Sequence, residues 1–393
     1  MSEAQEKPSR RVPRVAWIAM AAGAVVLLSV VGFILLRRRA PPEDPAAPLH
    51  APAFTGDSAR LERTVIVPTL DTPMPSGKNV IWCSSFQVAW NRLKDDVIKE
   101  PIKVRNAQAI ADRLNKAPQS EADLDPESFY AAAGRAEKAI PRIQREMAAK
   151  FPTVKQPAFS AGVALVAYAY LQAQVTFTIP YFEGKRPLPF GDPGGYRIPV
   201  TCFGIDYMDR GHVDLRKQIE VLYSEDAASD SHVPGEQANF ALDLCRSSQP
   251  NQLILARISP EASLGETLSS HEKKLAAAAA KGRDGQFGLE EILRVPNIGF
   301  DLTHHFGELE GTDKTLSNLG FQGLYISRAF QTVRFKLDRC GAELASEAMI
   351  EAKSAVPRCF AFDRPFLIVM RKRGAQHPFF VMWVDNAELL CKP

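Results

Sequence analysis

The feature that most constrains this fold is a segment near the C terminus that fits two secondary structures. Gly341–Pro357 is rich in good helix formers, and in a helix Glu343, Glu347 and Glu351 would share one face. In a strand, every even-numbered residue up to 352 is small or apolar, so that one face could be buried while the other stays in water. These residues are Ala342, Leu344, Ser346, Ala348, Ile350 and Ala352. Composition favours a surface helix, but the strand remains open.

Strands are predicted on both sides of this segment. Apolar and basic residues alternate over Val333–Leu337, the period of a half-buried strand. Two apolar runs follow the segment, Phe366–Met370 and Phe379–Val384, and a polar connection containing Gly374 separates them. This pair predicts a C-terminal hairpin.

The motifs around the segment resemble those of the serpin family, the serine protease inhibitors. Ile326–Ala345 is similar to the stretch that enters the reactive-centre loop of serpins, where an acidic residue precedes a Gly by three positions and a Glu by five. The matching residues are Asp338, Gly341 and Glu343. After the loop, the family signature has Phe, then Asp or Asn, a basic residue, Pro and Phe. Its counterparts here are Phe360, Asp363, Arg364, Pro365 and Phe366.

The resemblance extends, more weakly, over roughly residues 60 to 393. Gly77–Trp82 is similar to the Asn-Val-aromatic motif near the start of the serpin fold. Leu165–Val175 followed by Tyr181–Phe190 resembles a family strand and the segment after it. The distance from Gly341 to Phe366 suits a full-length serpin loop.

This resemblance implies an α+β fold with mainly antiparallel sheets, several helices and an exposed reactive-centre loop. In serpins a protease attacks the loop and is acylated by it. The cut loop then enters the main sheet as a strand and carries the protease along. Such a protein has no catalytic residue and no cofactor, and its partner is an endopeptidase. Family spacing implies a reactive bond at Ala355–Val356, suited to an elastase-like pocket, with Lys353–Ser354 as the trypsin-like alternative.

The hinge at which insertion would begin departs from the family in several places. The hinge residues are Gly341, Ala342, Glu343, Leu344, Ala345, Ser346, Glu347 and Ala348. Leu344 would face inward, and overpacking a sheet interior costs roughly 1–3 kcal/mol. Arg339 replaces a family Glu, Gln331 replaces a frequent His, and Cys83–Phe86 is a poor match to a family Ser-Pro motif.

Three functions are therefore weighed. The first is a membrane-tethered inhibitor of serine or cysteine endopeptidases. The second is a non-inhibitory serpin-fold protein that binds a partner or serves as a scaffold. The third is an unrelated enzyme or receptor domain. The small side chain of Ala342, where a charge would block insertion, favours the inhibitor.

A transmembrane helix is predicted at Val15–Leu36, which is 22 residues long and carries no charge. Arg37–Arg39 stands where a signal peptide would have small residues for cleavage, so we expect a retained, single-pass anchor. Residues 1–14 form a short basic tail. Because short N-terminal tails normally stay inside, the large domain is expected to be extracytoplasmic.

The domain organisation follows from composition. Prolines recur through Ala40–Pro52, so residues 37–60 are interpreted as an extended linker. Folded structure is expected to begin near Leu61–Val67, with one serpin-like domain over residues 61–393. Helices are predicted at Asn106–Lys116 and Glu127–Lys150.

Three further elements complete the α+β pattern. Gly162–Phe177 is predicted to be a central buried strand and Gln252–Ile258 a shorter one. Ser263–Ala280 is predicted to be a helix. With helices early, strands late and a closing hairpin, the sequence favours an α+β fold dominated by antiparallel strands.

Other classes of function find little support. Residues 1–39 hold seven Lys or Arg and two Glu, a net charge of +5, so the remainder is near −2 and no basic patch indicates nucleic-acid binding. The six cysteines show no metal-ligand spacing. Neighbouring His304 and His305 would point apart, which argues against a metal site and for solvated or capping histidines. His271 and Glu272 are interpreted as an exposed helix face.

Overall fold

A computed structural model describes residues 51–207, 209, 211–226, 236–282, 285–340 and 358–393. Leu49–Pro393 forms one compact unit. The predicted anchor, Val15–Leu36, lies outside the described residues. Within the described ranges, no helix combines the length and the apolar character needed to cross a bilayer.

Among the described residues, the α-helices cover fewer positions than the strands. They are α1 Ser84–Arg92, α2 Gln108–Lys116, α3 Ala136–Lys150, α4 Val213–Lys217 and α5 Leu264–Ala280. Ser263 caps α5, because its side chain accepts a hydrogen bond of 3.1 Å from the Glu266 N–H. The helices predicted at Asn106–Lys116 and Ser263–Ala280 are confirmed.

The strands form several sheets. They are β1 Phe54–Asp57, β2 Thr64–Ile66, β3 Asn79–Cys83, β4 Phe129–Arg135, β5 Leu165–Leu171, β6 Phe182–Glu183, β7 Leu188–Gly191, β8 Arg197–Val200, β9 Cys202–Ile205, β10 Glu220–Asp226, β11 Gln237–Asp243, β12 Asn251–Arg257, β13 Ile292–Pro296, β14 Ile298–His305, β15 Phe330–Leu337, β16 Cys359–Ala361, β17 Phe366–Lys372 and β18 Phe380–Val384. Most neighbouring pairs are antiparallel, which confirms the predicted α+β class.

The largest sheet has seven strands in the order β10-β11-β12-β17-β18-β3-β2. The predicted C-terminal hairpin is confirmed as β17 and β18, and Gly374 in their connection has a φ of +79° that glycine adopts without strain. Both faces of these strands are buried: Phe380 and Met382 face one apolar core, and Val381 and Trp383 face another. Helix α5 packs on the second face.

The remaining strands form smaller sheets. Strands β16-β13-β9-β6 make a four-stranded sheet, and β7 pairs with β8. A third layer lies over the first core of the large sheet, as the stacked rings of Phe335 and Phe380 show, with centroids 4.8 Å apart. This layer contains β1-β14-β15 and, separately, the pair β4-β5.

Two sequence predictions in this layer are wrong in part. The first third of the predicted helix Glu127–Lys150 is strand β4, because its pairing with β5 overrides the helix propensity of its alanines. The strand predicted at Gly162–Phe177 exists as β5, but its residues are only half-buried and it is paired along one edge.

Folded structure also starts earlier than Leu61, where the sequence predicted it to begin. Strand β1 lies within the predicted linker and pairs in parallel with β14. Its four residues, Phe-Thr-Gly-Asp, are too few for their alternation to predict a strand within a proline-rich segment, so only the tertiary pairing reveals it.

Candidate functional site

The candidate site lies between β5 and β15. These strands belong to the third layer, which is split into β1-β14-β15 and β4-β5 and which we call the divided layer. Strand β5 is paired with β4 and β15 with β14, and in the part of the chain that the structure describes no ladder joins their remaining edges. Helix α1 packs against both strands. Burial raises the pKa of the Tyr170 hydroxyl on β5, and the charge of Arg334 on β15 counteracts that rise. The two edges, unpaired among the described residues, therefore lie over the same helix, and we call the space between them the gap.

The segments that follow β5 and β15 meet at one contact, which we call the mouth. There the Tyr181 N–H donates a hydrogen bond of 3.0 Å to the Arg339 carbonyl. The Arg339 Nε also lies 3.8 Å from a carboxylate oxygen of Glu183. Both residues follow the C-terminal ends of their strands along the chain, Tyr181 ten positions after β5 and Arg339 two positions after β15. A chain that leaves β15 and turns back into the gap would run antiparallel to β15.

The floor of the gap brings together residues that the sequence had singled out separately. The buried side chain of Gln331 on β15 donates hydrogen bonds of 3.0 Å to the Cys83 carbonyl and 2.7 Å to Ser85 Oγ, at the start of α1. Burial raises the pKa of the Cys83 thiol. The two departures from the family pattern, at Gln331 and at Cys83–Phe86, thus meet at one point.

The end of β15 is fixed by Asp338. The Asp338 carboxylate accepts a hydrogen bond of 2.9 Å from the Cys340 N–H and lies 2.5 Å from Lys336 Nζ. This local turn sets the direction in which the chain leaves the sheet. The acidic residue that the family resemblance singled out therefore has a positional role.

The predicted reactive segment lies outside the described residues. It comprises the hinge from Gly341 to Ala348 and both candidate bonds, Ala355–Val356 and Lys353–Ser354. The structure resumes at Arg358, which forms an ion pair with Glu291 and donates 3.1 Å to Ser224 Oγ. Because Arg358 is held on the domain surface, a reactive bond would have to precede it.

The family signature after the loop is a structural anchor. Phe360, Phe362 and Phe366 are fully buried, and the Phe240 ring lies between the first two, 5.1 and 4.9 Å from their centroids. Strand β16 pairs in parallel with β13. Burying three phenylalanines stabilises the fold by roughly 1.5–3 kcal/mol each. This cluster fixes the far end of the loop.

The charged pair of the signature joins a network at the same turn. Glu236 lies 3.1 Å from Arg257 and 2.6 Å from Arg364, and Asp363 lies 3.6 Å from Arg257. Pro365 then leads into β17. These contacts hold the turn between β16 and β17, and nothing in their geometry indicates chemistry.

Metal chemistry finds no site in the described ranges. They contain no cluster of three or more potential metal-ligating side chains. His304 Nδ1 lies 2.8 Å from Ser58 Oγ, and His305 Nδ1 lies 2.9 Å from a Glu310 oxygen. All six cysteines are free thiols, including Cys340 and Cys359 at the two ends of the loop.

Comparisons with known proteins find likeness only among solved structures. No family model and no curated protein sequence matches the chain. Thyroxine-binding globulin in complex with thyroxine is 12% identical with a TM-score of 0.45, covering 79% of this chain and 93% of that one. Native protease nexin-1 with heparin is 11% identical with a TM-score of 0.46, covering 79% and 92%. Serpin48 from the insect Tenebrio molitor is 14% identical with a TM-score of 0.37, covering 72% of each chain.

All three neighbours are distant. Because their identities are this low and their TM-scores lie below 0.5, we take neither function nor mechanism from them. What the residues themselves provide is a gap between two strand edges that are unpaired in the described ranges, with a mouth at Tyr181 and Arg339 and a floor built by Gln331 and Ser85. Sequence reasoning missed the mouth, because the bond between Tyr181 and Arg339 joins backbone atoms and leaves no side-chain pattern.

Proposed function

We propose that this protein is a membrane-tethered, serpin-like inhibitor of serine or cysteine endopeptidases. The observation that carries the proposal is the gap between β5 and β15, whose mouth lies where β15 passes into the predicted loop. The protease attacks the loop as it would a substrate, and the cleaved loop then inserts into the gap.

Physical chemistry supports insertion. The N–H and C=O groups on an unpaired strand edge can form hydrogen bonds with another strand. A strand inserted between two such edges forms backbone hydrogen bonds on both sides. The even-numbered face of the loop segment is small or apolar, so it can be buried against the floor. The odd-numbered glutamates would then point to solvent. A surface loop that never inserts does not need this alternation.

In the inhibitory reaction the protease supplies the chemistry. Its serine or cysteine attacks the carbonyl carbon of Ala355, the bond to the Val356 nitrogen breaks, and the released amine takes up a proton. The resulting acyl-enzyme is trapped if the new end moves into the gap before water hydrolyses it. No catalytic residue of this chain is required.

The tether is part of the proposal and is supported by sequence alone. Val15–Leu36 has the length and composition of a membrane span, and the basic residues beside it replace a cleavage site. The large domain is proposed to lie on the extracytoplasmic side. Recovery of the full chain in the carbonate-washed membrane fraction is the expected result, and a soluble form that starts beyond Leu36 would contradict it.

A second candidate, a non-inhibitory binding or scaffold protein of the same fold, is favoured by the mouth itself. Arg339 is held there by the Tyr181 N–H and lies near Glu183, so opening the gap would break a hydrogen bond and an ion pair. Leu344 would also have to fit on the inward face. In this alternative the loop stays out of the sheet.

Incubation with pancreatic elastase and with trypsin separates the two candidates. An inhibitor is expected to form an adduct with elastase that survives SDS and boiling, cleaved after Ala355. The variant Ala355→Arg should transfer the adduct to trypsin. Cleavage of the wild type only after Lys353 would move the reactive bond to the alternative position, and cleavage without any adduct would favour the non-inhibitory protein.

A further inference from the structure

A polar cavity, which we call the amide cavity, lies beside the C-terminal end of β5. Its volume is about 310 Å³. Amide and hydroxyl side chains make up most of its lining, namely those of Ser128, Gln172, Gln174, Thr176, Ser248 and Asn251. Gln249 and Pro250 complete the lining, so none of the eight described residues around the cavity is charged.

One wall of the amide cavity is the extended segment that follows β5. Over residues 172–177 the polar side chains are exposed, whereas the apolar ones pack against the core and Phe177 is buried. The Gln172 N–H donates a hydrogen bond of 2.7 Å to the Ser128 carbonyl, which prolongs the pairing of β5 with β4. This wall therefore lies on the β4 side of β5, opposite to the gap, and displays its polar side chains at the period of a strand.

The other wall is the turn between β11 and β12, which Arg373 holds in place. The Arg373 guanidinium donates hydrogen bonds of 2.6 Å to the Ser248 carbonyl and 2.7 Å to the Cys245 carbonyl. Its charge is paired with the Asp243 carboxylate at 2.9 Å. The Ser248 hydroxyl in turn donates 2.6 Å to the Asn251 carbonyl. Because these contacts fix the turn, binding of a ligand would require little further ordering of this wall.

Asn251 joins the two walls and keeps one hydrogen-bonding atom unused. It is 2% exposed, and its Nδ2 donates a hydrogen bond of 3.2 Å to the Gln174 carbonyl. Its Oδ1 has no hydrogen-bond partner among the described residues. A buried amide oxygen without a donor is unfavourable, so a hydroxyl group of a ligand in the cavity would supply the missing partner.

The lining selects a neutral ligand that is rich in hydroxyl groups. Amide and hydroxyl side chains each offer a donor and an acceptor, as the neighbouring hydroxyls of a sugar do. An ion would lose its hydration without gaining a counter-charge, and an apolar molecule would leave the lining groups without partners. Pro250 adds one apolar surface, which suits the C–H face of a sugar ring. The volume lies at the lower end of small-molecule sites, which begin at about 300 Å³, so it suits one sugar rather than a chain.

We propose that the amide cavity binds a monosaccharide, either free or as the terminal residue of a glycan. The site is separate from the gap and depends on neither the predicted loop nor the predicted anchor. The hydroxyl groups of the sugar would bridge the exposed amides of the segment after β5 and the buried Oδ1 of Asn251.

The ligand class is tested on the full chain, kept in a detergent without a sugar headgroup. Saturation-transfer NMR follows titration with glucose, galactose, mannose and N-acetylglucosamine. At least one of these is expected to bind saturably at millimolar concentration, since so small a ligand makes few contacts. Glucuronate and glucosamine, which are charged, should bind about threefold or more weakly. Absence of saturable binding, or a charged sugar that binds as tightly as the neutral ones, would overturn the proposal.

Methyl glycosides of the sugar that binds distinguish its two sources. If one methyl anomer binds as tightly as the free sugar, the natural ligand is the terminal residue of a glycan. If neither anomer binds, the natural ligand is the free sugar.

Three variants locate the site. Gln174→Ala removes one lining amide and should weaken binding about three- to tenfold, the effect of one hydrogen bond. Thr176→Trp fills the cavity and should abolish binding. Gln144→Ala makes the same truncation on the exposed face of α3, outside the cavity, and should leave binding unchanged. Melting temperatures show that the variants are folded. Binding that survives Thr176→Trp, or that Gln174→Ala and Gln144→Ala affect equally, would overturn the site.

Discussion

The seven-stranded sheet and the divided layer border the same apolar core, but they differ in how many of their strand edges are paired. In the larger sheet, β12, β17, β18 and β3 each pair on both edges. In the divided layer, β5 and β15 each leave one edge without a ladder in the described part of the chain. Every residue of β5 is half-buried, whereas all five residues of β18 are buried.

This difference separates what holds the fold from what is left open for a function. Strands that are buried on both faces and paired on both edges contribute most of the stability of such a domain. A sheet with two free edges facing one gap keeps unused pairing capacity. The comparison therefore predicts that a strand can be added to the divided layer and that the seven-stranded sheet has no place for one between its members.

The largest expected effect comes from filling the gap. Cutting the loop between Met349 and Val356 frees it to insert, and burial of Leu344 and Ile350 should then contribute roughly 1.5–3 kcal/mol each. At roughly 2 °C per kcal/mol for a domain of this size, the melting temperature of the compact unit Leu49–Pro393 should rise by about 10 °C. Calorimetry before and after the cut measures this.

Two arginine substitutions test whether the rise comes from insertion. Ala342→Arg would place a charge inside the layer and should abolish the rise. Ala345→Arg lies on the opposite face of the same segment, would point to solvent and should leave the rise unchanged. If the cut and intact wild-type proteins have the same melting temperature, the loop does not fill the gap, and the unpaired edges of the divided layer have no role in insertion.

The sequence predicted those parts of the fold that have a strong local pattern. The alternation over Val333–Leu337 matches β15, in which inward residues are buried and outward residues exposed in strict turn. The apolar runs of β17 and β18 were equally clear. Strand β4 was missed because its alanines favour a helix, and β1 because an alternation over only four residues is too short to predict a strand.

The candidate site was accessible to sequence reasoning only in pieces. The family resemblance marked Gln331 and Cys83–Phe86, and the structure brings them within hydrogen-bonding distance although 246 positions separate Gln331 from Ser85. It also marked Asp338 and the phenylalanine signature. The gap and its mouth depend on which strand edges remain without partners, and that is decided by long-range pairing that no local pattern encodes.

The next effect concerns His271, whose predicted place on an exposed helix face was wrong. It is fully buried between α5 and the seven-stranded sheet, with Nδ1 3.2 Å from the Tyr223 hydroxyl. It follows Leu264 and Leu268 at helical spacing, so it lies on the apolar face of α5. Burial, and then the charge of Arg371, lowers the pKa of His271 to about 3.

His271 should make the stability of the domain sensitive to acid pH, because it is buried against the seven-stranded sheet. Because its folded pKa is below the unfolded value, the unfolded chain binds more protons at acid pH. The stabilisation is complete above about pH 6.5 and is lost as the pH falls toward 3. Between pH 7 and 4, urea unfolding should show the wild type losing roughly 3 kcal/mol more than His271→Gln. Parallel pH profiles for the two proteins would contradict this.

The smallest expected effect on stability comes from making the same substitution, Val to Ala, in the seven-stranded sheet and in the divided layer. Val381 on β18 is fully buried, and Val166 on β5 is half-buried beside α3. Removing two methyl groups from a closed core costs about 2–3 kcal/mol, because a cavity remains, whereas a half-buried site can relax and should lose about 1 kcal/mol or less. Denaturant unfolding of Val381→Ala and Val166→Ala measures the two costs. Equal losses of stability would mean that β5 is packed as tightly as the seven-stranded sheet. The difference in packing between the two regions, which supports the gap, would then be contradicted.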